Sequence, residues 1–144
     1  MTMLKVLILI GASLLAACSG EPAKAPAKAE TPVVQVADVT QLTGDAEAGR
    51  TGFGQCRSCH TVEAGVNRVG PSLHAIVGRP VGTVADYRYS TAMAAAGGVW
   101  DEQRLYDFLE KPREYIVGTK MTFPGIKDGQ RRADIIAYMK TQTD

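Results

Sequence analysis

The chain has 144 residues, and 16 lysines and arginines against 15 aspartates and glutamates give it a formal net charge of +1. This length is typical of one domain, and the charge balance excludes the concentrated basic face of a nucleic-acid binder. All the aromatic residues lie between Phe53 and Tyr138, so we expect the folded domain over residues 44–144.

Residues 1–17 predict a secretory signal peptide. Lys5 precedes an apolar run over residues 6–17, which as a helix would rise only about 18 Å against a hydrocarbon core of about 30 Å. Residues 15–18, Leu-Ala-Ala-Cys, resemble the lipobox of bacterial lipoproteins, where the chain is cut before the cysteine and the cysteine carries the lipid. The resemblance implies lipid attachment at Cys18. The alternative is an ordinary signal peptide that ends in a cysteine.

Residues 18–43 predict an Ala/Pro-rich tether. After Cys18 this segment carries three prolines and scattered charges, and its only apolar stretch is a weak one over residues 33–39. Such a composition is typical of a disordered or polyproline-like chain, which at about 3.1 Å per residue would reach on the order of 75 Å. Together with the lipid, this segment predicts that the folded domain over residues 44–144, called the head below, is held at a membrane and can move between partners.

Two helices are predicted at the ends of the domain. Asp45 is a suitable N-cap for a short helix over residues 45–56, in which Gly49 and Phe53 share one face. Residues 131–142 form the second helix, with an apolar face that includes Tyr138 and Met139.

Residues 56–60, Cys-Arg-Ser-Cys-His, match the CxxCH motif of c-type haem attachment. Cys56 and Cys59 can each form a thioether with one haem vinyl group, while His60 reaches the iron. The two alternatives are a zinc site and a redox dithiol. A zinc site needs further ligands, yet the other histidine is His74 and the other cysteine is Cys18. A redox dithiol usually lies in a βαβ frame, and strand patterns are few here.

Four residues of the domain are candidates for the second axial ligand. Met139 lies on an apolar helix face and Met93 in an alanine-rich stretch, so packing is the simpler role for both. His74 follows a turn, where a histidine more often bonds a backbone carbonyl. Met121 lies in the loop over residues 118–125, which can present a thioether without loss of core packing.

From Gly44 to its end the chain resembles a class I cytochrome c of the mitochondrial and purple-bacterial type. The matching stretches are GDAEAGRTGFGQCRSCHTVEAG, GPSLHAIVGR, residues 89–100, FLEKPREYI, GTKMTFPGIK and RRADIIAYMK. The resemblance implies an all-α fold wrapped around one covalent haem c. It also implies that the first helix crosses the last near Tyr138, with Gly49 allowing the backbones to approach closely.

The same resemblance assigns roles to single residues. His60 and Met121 correspond to the axial ligands, and Pro71 to the residue that orients the histidine through a neighbouring carbonyl. The residues that correspond to partners of the buried haem propionate are Arg79, Tyr89 and Trp100.

Three residues depart from the usual pattern of this family. Val117 stands where proline is usual, Phe108 where tyrosine is frequent, and Met93 where asparagine is common. Each change removes polarity near the iron, to which the haem potential responds.

An iron held by histidine and methionine has no open position, so the predicted function is one-electron transfer without a small-molecule substrate. The resemblance implies electrons that come from a quinol-oxidising complex and pass to a terminal oxidase or reaction centre, on the periplasmic side of a bacterial membrane. Five cations could line a docking face and steer the encounter with a partner: Arg57, Arg68, Lys111, Lys120 and Lys127.

Two other functions fit parts of the sequence. A gas sensor or peroxidase-like enzyme would need an open or labile sixth position, which Val117 beside the methionine loop would favour. A fixed electron-transfer subunit of a larger dehydrogenase would carry a larger exposed apolar patch.

Overall fold

The structure is a computed structural model, and it describes residues 38–143. Within that range it contains helices but no β-strand, only an isolated antiparallel bridge between Pro80 and Val99. None of the helices in residues 38–143 has the length and apolar character needed to cross a membrane. The all-α prediction is confirmed. The helices are α1 (Ala46–Gly52), α2 (Thr91–Ala94), α3 (Glu102–Glu110), α4 (Pro112–Tyr115) and α5 (Gly129–Lys140), with 3-10 turns at Val39–Gln41 and Phe53–Gln55.

Helices α1 and α5 cross in close contact. Asp45 is the N-cap of α1, as predicted, and its side chain accepts hydrogen bonds from the backbone of residues 47 and 48. At Gly49 a Cβ would overlap the backbone carbonyl of Asp134 and lie 2.9 Å from the Cβ of Tyr138. One turn further on, the rings of Phe53 and Tyr138 are 5.2 Å apart. Glycine is therefore the residue that lets the two backbones meet.

Helix α3 packs one face against α5 and the centre of the molecule. Its buried side chains recur at the spacing of a helix face, and Asp101 caps its first turn by accepting from Arg104 N. The buried hydrophobic side chains come from every part of the domain, among them Phe53, Ile76, Trp100, Leu105, Tyr106, Phe108, Leu109, Ile135, Ile136, Tyr138 and Met139.

Residues 61–90 have no regular helix and are held by side-chain bonds to the backbone. Asn67 Oδ1 accepts from Ser72 N at 3.0 Å, and Asn67 Nδ2 donates to Ala85 O at 2.9 Å. The buried Ser72 hydroxyl donates to Glu63 O at 2.6 Å. The bond of Ser72 satisfies a buried hydroxyl, and the two bonds of Asn67 tie the two halves of the segment together.

The packed region begins before residue 44, where the sequence placed its start. Val39 is buried against α3, and its N–H donates to Gln103 Oε1 at 2.8 Å. Leu42 packs against the core as well, and Gln130 Nε2 donates to Thr43 O at 2.8 Å. The structure therefore places residues 38–43 on the head rather than in the tether. The rest of the predicted tether and the signal peptide lie outside the described residues.

Candidate haem site

A cavity of about 480 Å³ lies between the 3-10 turn after α1, helices α3 and α5, and the loop over residues 118–125. Most of its lining is aliphatic or aromatic, which suits a flat apolar ligand. The apolar lining residues include Val69, Leu73, Ile76, Met93, Trp100, Leu105, Phe108, Leu109, Met121, Phe123, Ile135 and Met139.

His60 lies in the wall of this cavity in an orientation fit for metal binding. Its Nδ1 donates to Pro71 O at 2.7 Å, since a carbonyl can only accept, and this leaves Nε2 as the free lone pair. At Gly70 a Cβ would lie 2.6 Å from His60 Nδ1, so the ring packs directly on the glycine backbone. Burial lowers the pKa of His60, against the smaller opposing effect of the Pro71 carbonyl. The imidazole is therefore neutral at physiological pH and able to ligate.

Cys56 and Cys59 line the same cavity as free, half-buried thiols. Burial raises the pKa of the Cys56 thiol to about 11, although the charge of Arg131 lowers it in part. A redox dithiol needs the opposite, a thiolate favoured by its surroundings. Among residues 38–143, no group of three or more His, Cys, Asp or Glu side chains could hold a metal ion, which also argues against zinc.

Three of the candidate axial ligands reach the cavity, and His74 does not. Met93 and Met139 line it from helices and are buried in the core, whereas Met121 lines it half-buried from a loop. Gly118 and Gly125 flank that loop with φ of 92° and 100°, a conformation that only glycine adopts without strain.

The three residues predicted at the propionate are brought together on the cavity lining. Arg79 donates to His74 O at 2.8 Å and to Ser72 O at 2.9 Å. Burial lowers the pKa of this guanidinium and raises the pKa of the Tyr89 phenol. Trp100 completes the group as a buried indole, 4.9 Å from the ring of Phe108. This end of the cavity is a cationic, donor-rich environment suited to a carboxylate.

Tyr87 is a lining residue that the sequence analysis missed. Its hydroxyl donates to Val69 O at 2.8 Å, and its ring contacts the edge of Tyr89 at 4.8 Å. Lys120 lies over the Tyr87 ring, 4.4 Å from its centroid, and donates to the Arg88 carbonyl. Tyr87 thus braces the loop of Met121 against the segment that carries Gly70. The sequence did carry a signal for Tyr87. It stands two residues before Tyr89, and in an extended chain residues two apart lie on the same side.

Two of the three departures from the family pattern lie on the cavity lining, and the third, Val117, lies at the surface. Phe108 and Met93 line the cavity and make it less polar, as the sequence predicted. Val117 is 79% exposed at the turn that leads into the methionine loop, so it contributes a side chain to the surface.

The side chains of the cavity fit a covalent haem c. Two thiols stand beside an imidazole with a free Nε2, an apolar slot receives the macrocycle, and donors at one end suit its propionates. Within residues 38–143, none of the side chains that line the cavity is acidic and would repel those carboxylates.

Known proteins are similar to this chain in sequence and in fold. The sequence model described as "Cytochrome c" matches residues 46–143. The cytochrome c of Euglena viridis is 49% identical over 102 residues, which are 70% of this chain and all of that protein. The cytochrome c of Guizotia abyssinica is 47% identical and covers 69% of this chain and 92% of its own. Cytochrome cH from Methylobacterium extorquens has a similar structure, with a TM-score of 0.66 and 43% identity over 68% of this chain and 99% of that one.

The match to the family extends over most of the chain and includes both thiols and the histidine of the attachment motif. Members of that family carry a covalent c-type haem and transfer electrons rather than catalyse a reaction. This chain belongs to the cytochrome c family.

Proposed function

We propose that this cytochrome c is a one-electron carrier with His60 and Met121 as axial ligands, tethered to a membrane through Cys18. The observation that carries the proposal is the lining of the cavity, to which both His60, with its Nδ1 bonded to Pro71 O, and the loop residue Met121 contribute. When bound, the haem supplies a redox couple, because its iron can be ferrous or ferric and the two states differ by one electron.

The surrounding residues hold the two proposed iron ligands, His60 and Met121, in place and exclude water from the cavity. The Pro71 carbonyl and the Gly70 backbone fix the ring of His60, so its Nε2 needs little movement on a change of oxidation state. The Met121 loop is fixed by its flanking glycines and by Lys120, which is bonded to the Arg88 carbonyl. A rigid, water-poor site keeps the reorganisation that accompanies electron transfer small.

The carbon monoxide response of the holoprotein tests the axial ligands. The reduced wild-type protein is expected to be low-spin and unchanged by carbon monoxide, because both axial positions are filled. Met121→Leu should bind carbon monoxide rapidly, since leucine fills the space without a sulfur. Absorption spectra before and after gas addition measure the difference.

Met93→Leu and Met139→Leu are the matched controls, because both side chains line the same cavity from helices. Their reduced spectra should stay insensitive to carbon monoxide. Sensitivity in either control, with none in Met121→Leu, would assign the sulfur ligand to the helix residue instead. Rapid binding by the wild-type protein would favour the gas-sensing or peroxidase-like function.

The lipid tether rests on the sequence around Cys18, which lies outside the described residues. In a bacterium that exports the full chain, the membrane fraction should hold the wild-type protein, and the N-terminal fragment should carry the added mass of acyl chains. Cys18→Ser should move the protein to the periplasmic fraction with an unchanged haem spectrum. An unmodified Cys18 on a wild-type protein that fractionates with the periplasm would refute the tether.

We propose a membrane quinol-oxidising complex as electron donor, and a terminal oxidase or reaction centre as acceptor, all on the periplasmic side. Of the five predicted docking cations, Lys120 is bonded within the chain and Lys111 is paired with Glu114 at 3.1 Å. Arg57, Arg68 and Lys127 stay exposed for an acidic partner face, although Arg68 Nη1 also donates to Arg57 O at 3.4 Å. With three such charges, docking is expected to be weak and rapidly reversible, which suits a carrier that must leave again.

A further inference from the structure

Arg104 stacks on Trp100, although neither its sequence position nor the resemblance gives it a role. Its guanidinium carbon lies 5.3 Å from the centroid of the indole ring. The same guanidinium donates to Gly97 O at 2.7 Å and to Ala96 O at 3.2 Å. One side chain of α3 therefore holds both the indole in the cavity wall and the turn that precedes it.

The turn is shaped to receive this guanidinium. Gly97 and Gly98 have φ of 58° and 70°, a conformation that turns backbone carbonyls toward Arg104. At Gly98 a Cβ would overlap Arg104 Nη1, so only glycine leaves room for the side chain. The Gly98 carbonyl in turn accepts from Val81 N at 3.0 Å, and Trp100 N donates to Arg79 O at 2.9 Å. The position of the indole thus depends on Arg104 through two routes, the stack and the turn.

The charge of Arg104 is not neutralised locally. Among the residues that the structure describes, no carboxylate lies within ion-pair distance of its guanidinium, and its Nε is buried without a partner. Asp101, three residues earlier, uses its side chain to cap the Arg104 backbone N–H, and Glu102 pairs with Lys140. A cation that rests on a buried aromatic ring is screened less than one in water, so its field extends into the cavity that Trp100 lines.

We propose that Arg104 is a positioning residue that holds the Trp100 indole in the wall of the haem cavity, and that its charge favours the reduced state of the protein. The ferric state carries one more positive charge than the ferrous state, so a nearby cation disfavours the ferric state. The inference rests on the haem of the cytochrome c family and on the lining of the cavity by Trp100. It is independent of the tether and of which methionine binds the iron.

Two variants of Arg104 separate the charge from the positioning. Arg104→Met keeps the aliphatic stem but removes the charge and the donors, whereas Arg104→Lys keeps the charge and loses the planar fork. Arg50→Met is the control, because Arg50 is exposed and pairs with Glu47 at 2.6 Å on the surface of α1. The holoproteins are compared by their reduced-to-oxidised ratio at one fixed ambient potential, and by the near-UV circular dichroism of Trp100, the single tryptophan of the chain.

Arg104→Met is expected to lower the reduced-to-oxidised ratio about threefold and to weaken the tryptophan dichroism. Arg104→Lys should keep the ratio near that of the wild type while its dichroism weakens, and Arg50→Met should change neither. An unchanged ratio and an unchanged dichroism in Arg104→Met would overturn the proposal and leave Arg104 as a support of the turn alone. If Arg104→Met does not fold, a lysine variant with wild-type dichroism would overturn the positioning role.

Discussion

The Gly49→Ala variant is expected to lose about 3 kcal/mol of its free energy of unfolding. The added Cβ would overlap the Asp134 carbonyl and approach the Cβ of Tyr138 to 2.9 Å, and neither is the end of a flexible side chain. Helices α1 and α5 would therefore have to move apart, which would also loosen the contact between Phe53 and Tyr138. Denaturation of the holoprotein by guanidinium chloride measures the loss.

Gly52→Ala is a matched control on the same helix. A Cβ at Gly52 would meet the side chain of Ile135 at 3.1 and 3.3 Å, and that flexible side chain can shift. Alanine also has the higher helix propensity, so the change in stability should stay within about 1 kcal/mol. Equal effects of the two substitutions would contradict the assignment of the loss to the close crossing at Gly49.

The Gly70→Ala variant is expected to lose most of the His60 ligation. A Cβ at this position would lie 2.6 Å from His60 Nδ1 and overlap the ring edge, so the imidazole would have to leave its bond to the Pro71 carbonyl. The low-spin form should fall to a small minority of the holoprotein, because the ring loses the position that the Pro71 carbonyl fixes. Visible absorption spectra of the oxidised protein measure that fraction, and added imidazole should restore part of it.

Gly54→Ala serves as the control for this substitution, because no atom lies within 4 Å of a Cβ built there. Its spectrum should equal that of the wild type, although Gly54 is also close in sequence to the attachment motif. A Gly70→Ala protein that kept a fully low-spin spectrum would contradict the role of the glycine backbone as the support of His60.

The elements that the sequence predicted are those with a local signature. A capping aspartate and a glycine and phenylalanine on one helix face identified α1, and an apolar stripe identified α5. Residues 56–60 predicted the haem because two thiols and a histidine at that spacing fit little else. The helix crossing and the bond from His60 to Pro71 were expected only through the resemblance, since the first joins residues 85 positions apart and the second lies in irregular chain.

The features that the sequence did not predict depend on contacts between distant residues. Val39 belongs to a weakly apolar stretch, and only the side chain of Gln103 on α3 shows why it is buried. Tyr87 and Arg104 have no motif of their own, because their roles come from Lys120 and from the turn before Trp100. Composition predicted a tether through residue 43, and long-range packing places its last part on the head.

The attachment of residues 38–45 also determines how the head carries mechanical load. A pull along the chain from Asp38 would reach α3 first, through the bond between Val39 N and Gln103 at 2.8 Å. The pull would then reach α5 through two hydrogen bonds. Gln130 Nε2 donates to Thr43 O at 2.8 Å, and Asp45 N donates to Asp134 Oδ1 at 2.9 Å. Neither His60 nor Met121 takes part in these bonds. Thermal motion of an anchored chain would therefore strain α3 and α5, and the segments that carry His60 and Met121 would stay outside the line of force.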